Sequence, residues 1–121
     1  MAENVRFSMQ FREFVWPKNP SELRVEPRRH WVEFLIPSGK TIHQDFGDIG
    51  RKITGEGAFV GEDALAQYAA LEEVFRAGGG GTLRLPDSTE EIYAVFYSLE
   101  MWRNSTKDAV FYRFEFRENG V

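Results

Sequence analysis

The sequence predicts a mainly β domain with one α-helix, built as a β-sandwich or split β-barrel with the helix on its flank. Three observations carry this. Most apolar runs alternate with a period of two, only Glu62–Ala77 shows helical periodicity, and aromatics make up 15% of the 121 residues, a composition that suits half-buried pleated surfaces. The length fits one domain over 1–121, with 1–20 expected as an extended or assembly-ordered arm.

In chain order, Phe7, Met9 and Phe11 alternate with Ser8, Gln10 and Arg12, and Phe14 and Trp16 then switch parity, which predicts a bulge or an irregular exit. Leu23–Ile36 reads as a strand broken near Pro27, because proline cannot donate to a central ladder. Lys40–Phe46 and Arg51–Val60 follow as strands. The helix places Ala64, Tyr68, Leu71 and Phe75 on one stripe, widened by Leu65. Glu62 and Asp63 are expected in its first turn, Arg76 in its last, and Gly78 as a left-handed C-terminal residue. The run Gly78-Gly79-Gly80-Gly81 reads either as a mobile hinge that orders on assembly or as a plain helix-to-strand connector. Ile92–Met101 carries apolar residues on both faces and should be central in a sheet or covered on both sides. Ala109–Glu118 sets Val110, Tyr112, Phe114 and Phe116 towards a core and Phe111, Arg113, Glu115 and Arg117 away from it.

Charge and composition narrow the function classes. Fifteen Lys and Arg against nineteen Asp and Glu give a net charge of −4, with no basic stripe to follow a nucleic-acid backbone. The absence of cysteine excludes disulfides, thiolate nucleophiles and cysteine-ligated metals. The opening MAENVRFSMQFREF lacks an apolar segment, so no signal peptide is expected. No apolar run approaches the ~18 residues of a membrane span, and a cytosolic site of synthesis is expected.

Chemistry-bearing groups are sparse. Thr41, His43 and Asp45 share one face of a strand, and an aspartate near a histidine can orient an imidazole. No nucleophile-elbow serine and no zinc signature accompany them, so a solvated polar face is the expectation. Gly55-Glu56-Gly57 with Gly61 lacks the spacing of a nucleotide-binding loop. Trp16, Trp31 and Trp102 could stack a sugar or a base, although without basic neighbours tryptophans more often anchor cores and interfaces. No catalytic residue, cofactor or metal is expected, and the chain is not expected to be an enzyme.

The stretch Gln44-Asp45-Phe46-Gly47-Asp48-Ile49-Gly50-Arg51-Lys52 leads into Gly55, Gly57 and Gly61, the amphipathic helix, the glycine run and Thr82-Leu83-Arg84-Leu85-Pro86. This order of motifs resembles phage tail proteins: the N-terminal domain of DNA-circularisation and tail-hub proteins, and small baseplate proteins of contractile tails. Phe14-Val15-Trp16-Pro17-Lys18-Asn19-Pro20 and Tyr112-Arg113-Phe114-Glu115-Phe116 fit the same group. The resemblance implies a tail-tube-like fold and a homo-oligomeric ring, typically a hexamer, between a tail tube protein and a baseplate hub protein. The implied place is the tail of a virion or a tail-like particle, with no membrane and no specific nucleic acid, DNA only passing through the lumen. The circularisation proteins are much longer, so no activity is carried over from their name. Interface residues expected on this reading are Trp16, Trp31, Phe46, Gly47, Asp48, Ile49, Arg51 and Lys52, with Gly78, Gly79, Gly80 and Gly81 as a hinge. The alternatives are a tail assembly chaperone and a carbohydrate-binding module.

Overall fold

The computed structural model of the chain describes residues 8–103 and 108–119. Nine strands and one helix follow in order: β1 (Gln10–Phe11), β2 (Phe14–Val15), β3 (Glu22–Glu26), β4 (Arg29–Leu35), β5 (Thr41–Asp48), β6 (Lys52–Val60), α1 (Ala64–Ala77), β7 (Gly80–Arg84), β8 (Ile92–Arg103) and β9 (Ala109–Glu118). Seven strands form one antiparallel sheet in the order β2-β1-β7-β8-β9-β6-β3, while β4 and β5 pair only with each other. The fold is therefore mainly β, a large sheet flanked by a single helix.

The core lies on one face of this sheet, and the period-two pattern of β9 sets it. Val110, Tyr112, Phe114 and Phe116 are buried beside Ile53 and Phe59 of β6 and Ile92, Ala94 and Phe96 of β8. The rings pack edge-on or offset, with Phe96 and Phe116 stacked 4.3 Å apart and Phe11 and Phe116 at 4.8 Å, the arrangements ring quadrupoles favour. Helix α1 closes this face with Ala64, Tyr68 and Leu71 buried, and Phe75 meets Phe96 edge-on at 5.1 Å. Strand β8 is central, as its composition predicts, but its outward Tyr93 and Tyr97 are exposed.

Several expectations change. The helix starts at Ala64 rather than Glu62, so the two acidic residues precede its first turn; Gly61 bonds back to the Asp108 carbonyl and holds the chain outside the helix. Leu65 faces solvent and does not widen the buried stripe. Gly78 has a positive φ of 73°, but its ψ of −179° runs the chain straight on towards β7. The parity switch after Phe11 is a tight turn with Phe11 opposite Phe14, Arg12 adopting a φ of 54°. Residues 8–20 do not form an arm: Met9, Phe11 and Trp16 are fully buried. Residues 1–7 of that expectation lie outside the described residues.

The glycine run is a seat for two side chains. Gly80 and Gly81 belong to β7 and pair with Val95 and Ala94. A methyl group on Gly80 would come within 2.7 Å of the Tyr93 hydroxyl, and one on Gly81 within 2.6 Å of Arg12 Cγ. The Arg12 guanidinium donates to the carbonyls of Gly78 and Gly80, placing a cation where α1 leaves unpaired carbonyls. Half of the expected hinge is thus paired strand, and the rest is held by Arg12.

Candidate assembly surface

The two-stranded ribbon β4–β5 is the feature that the core does not explain. Its reversal follows from Pro37-Ser38-Gly39-Lys40: Gly39 has a φ of 88°, and the Ile36 N–H donates to the Lys40 carbonyl at 3.0 Å. The register sets Trp31 opposite Asp45, Val32 opposite Gln44, Glu33 opposite His43, Phe34 opposite Ile42 and Leu35 opposite Thr41. Directly opposed residues share a face, so alternation sorts the ribbon cleanly. One face carries Val32, Phe34, Ile42 and Gln44, continued by His30 and Phe46, whose rings lie 5.5 Å apart. The other carries Trp31, Glu33, Leu35, Thr41, His43 and Asp45.

Among the described residues, no other strand or helix packs against this ribbon. Phe34, Ile42 and Phe46 are 43%, 46% and 52% exposed, and Trp31 is 56% exposed on the opposite face. Full burial of such a side chain is worth about 1.5–3 kcal/mol. Covering the exposed half of the three on the apolar face would therefore yield about 3 kcal/mol in total.

The base of the ribbon is held firmly. Arg28 Nε donates to the Gly50 carbonyl at 3.1 Å, and the Ile49 N–H donates to the Arg28 carbonyl at 3.2 Å. Arg51 grips Glu118 with Nε at 2.9 Å and Nη2 at 3.0 Å, reaches Glu90 at 2.9 Å, and donates its backbone N–H to Glu118 as well. The Glu118 N–H returns a bond to the Arg51 carbonyl at 2.8 Å. These hydrogen bonds from Arg51 hold the Glu118 carboxyl below its ordinary range against the opposing effect of burial, and the two glutamates raise the Arg51 guanidinium in turn. Gly50 sits against the Glu118 backbone, where a methyl group would overlap the carbonyl. A paired, partly buried fork of this kind is worth more than an exposed ion pair.

The expected interface residues therefore divide. Trp31, Phe46, Gly47 and Asp48 lie on the ribbon, and Ile49 is exposed just beyond it. Arg51 is the clamp at its base, with its donors spent inside the chain. Lys52 opens β6, paired to Glu26 and Arg117 in the main sheet. Trp16 is corrected: it is fully buried against Phe14, Phe114 and Phe116, because the β1–β2 turn folds it under the sheet. Gly78–Gly81 lie at the end of α1, away from the ribbon. Val32, Phe34 and Ile42 were missed, although alternation in 32–34 and 42–46 already marked one apolar face.

The Thr41, His43, Asp45 face is an exposed ribbon surface on which the polar groups alternate with Trp31 and Leu35. Asp45 accepts from the Gly47 N–H at 2.9 Å and from Arg29 at 2.8 Å, while His43 lies 3.7 Å from Glu33. Its carboxylate is thus engaged by groups other than the imidazole. The Gly47 bond, with help from Arg29, holds the Asp45 carboxyl below its ordinary value. The three tryptophans do not meet as a platform: one is in the core, one on the ribbon, and Trp102 is stacked on Phe111 at the end of the main sheet. No protein-family model matches the chain, and no curated protein is similar to it.

Proposed function

We infer that this chain is a structural subunit of a phage tail or phage-tail-like contractile particle, working as a ring between a tube protein and a hub protein. The observation that carries the reading is the clamped ribbon with an uncovered apolar face. An isolated two-stranded ribbon is marginal in water, and apolar residues grouped on a projecting element are the usual sign of a surface that another chain covers. The order of motifs over 44–86 supplies the tail-protein context, and a ribbon that leaves one subunit to lie on the next suits head-to-tail contacts that close into a ring.

Magnitude shapes the expectation. About 3 kcal/mol from the ribbon face is below the ~4–15 kcal/mol that association costs in lost freedom. One ribbon contact is too weak to hold two free subunits. Ring closure, or a neighbour that holds several subunits at once, makes later contacts intramolecular and tips the balance. The test is native mass measurement of the chain alone and mixed with its tube and hub neighbours. Rings in the mixture that Ile42→Lys abolishes support the reading, and a strict monomer that ignores both neighbours at high concentration overturns it.

A further inference from the structure

The outer face of the seven-stranded sheet carries a groove of about 270 Å³ at the end where Trp102 and Phe111 pair across β8 and β9. Its middle is Gly57 and Ala58 of β6, whose small residues leave a depression between the aromatic pair on one side and the 18–21 segment on the other. The aromatic wall is rigid. The Trp102 and Phe111 planes lie within 13° of parallel with centroids 5.8 Å apart, and the Arg113 guanidinium sits 5.4 Å from the Trp102 ring. Trp102 nevertheless keeps 40% of its surface open.

The opposite wall is polar, with Asn19 and Ser21 held in place. Asn19 Oδ1 accepts the Met9 N–H at 2.8 Å, which orients the amide and leaves its N–H groups unused among the described residues. The Ser21 hydroxyl donates to the Glu56 carbonyl at 3.0 Å and keeps its lone pairs as acceptors. Lys18 adds a further donor. The Glu56 carboxylate is drawn to Arg113 at 3.3 Å, so the charge left to the groove is the single Lys18 ammonium.

We propose that this groove binds one ring of a neutral pyranose saccharide, with its C–H face on the Trp102–Phe111 wall and its hydroxyls on Lys18, Asn19 and Ser21. An aromatic wall opposite donors and acceptors matches a ring that is apolar on its face and polar at its rim. Pre-set side chains lower the ordering cost of binding. A single-stranded nucleic acid would use the same stacking but needs a cationic track; here Arg113 is paired with Glu56 and Glu100. The site is independent of the ring reading and is read on the isolated full chain.

The experiment titrates the protein with maltotriose, cellotriose and chitotriose, and separately with an oligothymidylate, following tryptophan emission. A saturable response to at least one trisaccharide is expected. It should weaken about tenfold in Trp102→Ala, as for a central aromatic anchor, and several-fold in Lys18→Ala, while Trp31→Ala leaves it unchanged. Lys18→Ala keeps the test decisive should Trp102→Ala not fold. Silence with all three sugars, a response that survives both groove variants, or a response to the oligonucleotide alone overturns the proposal.

Discussion

Raising the pH above 10 should destabilise this protein through one buried phenol. Tyr112 is fully buried between β6 and β8, and burial pushes its pKa from 10.0 up to about 12, with the nearby Trp16 indole pulling weakly the other way. Below pH 10 the phenol is neutral whether the chain is folded or not, and the stability it confers is complete. Between pH 10 and 12 the unfolded chain has released this proton while the folded chain still holds it, so stability falls as pH rises. Each pH unit costs upward of about 1 kcal/mol, and the two-unit gap gives about 3 kcal/mol in all. That is a large share of the ~5–15 kcal/mol typical of a domain. The assay is urea unfolding at fixed ionic strength from neutral pH upward, for the natural chain and for Tyr112→Phe. At neutral pH the variant should lie within about 1 kcal/mol of the natural chain, since among the described residues neither the buried Tyr112 hydroxyl nor the buried Trp16 N–H has a hydrogen-bond partner and little is lost with the hydroxyl. Between pH 10 and 12 the natural chain should lose up to about 3 kcal/mol more than the variant. Parallel curves through pH 12 would refute the reasoning, because the other tyrosines and the lysines titrate alike in both proteins.

Other outcomes follow from the same geometry. Glu118 is held below its ordinary value of 4.5 by Arg51, so its contribution is complete above that value and lost as pH falls through its folded pKa; Glu118→Gln should flatten the acid side of a stability–pH curve. Gly50→Ala places a methyl group on the Glu118 carbonyl at a φ of +91° and should destabilise by about 2 kcal/mol or more. Gly39→Ala, at +88° but in open space, should cost only about 1–2 kcal/mol, and thermal unfolding of the two variants separates backbone strain from collision. Ile42→Ser on the exposed ribbon face should change the stability of the isolated chain by less than about 0.5 kcal/mol while weakening assembly with its neighbours, measured by sedimentation.

Much of the fold is legible in the chain because it is local. Within Ala109–Glu118 the stretch from Tyr112 to Arg117 alternates apolar and polar, and the strand has the expected bounds in the structure. Pro27 divides β3 from β4 as its missing N–H requires. Where reading along the chain fails, two distant segments meet. Gly80 and Gly81 look like a linker until Tyr93 and Arg12 are seen lying across them. Trp16 looks like a surface anchor until a tight turn at Arg12 carries it under the sheet.

The same division governs the candidate surface. Alternation marked strands on either side of Pro37–Lys40 and turned Ile42, Gln44 and Phe46 away from Thr41, His43 and Asp45, because successive side chains in a strand point to opposite faces, but the register of the two strands is what brings Val32 and Phe34 onto the face of Ile42 and Phe46. Whether that face meets the core was decided by tertiary structure. Arg51, bound to Glu118 sixty-seven residues later, ties the chain just after the ribbon to the end of β9, and a long-range ion pair leaves no periodic mark in the residues it joins.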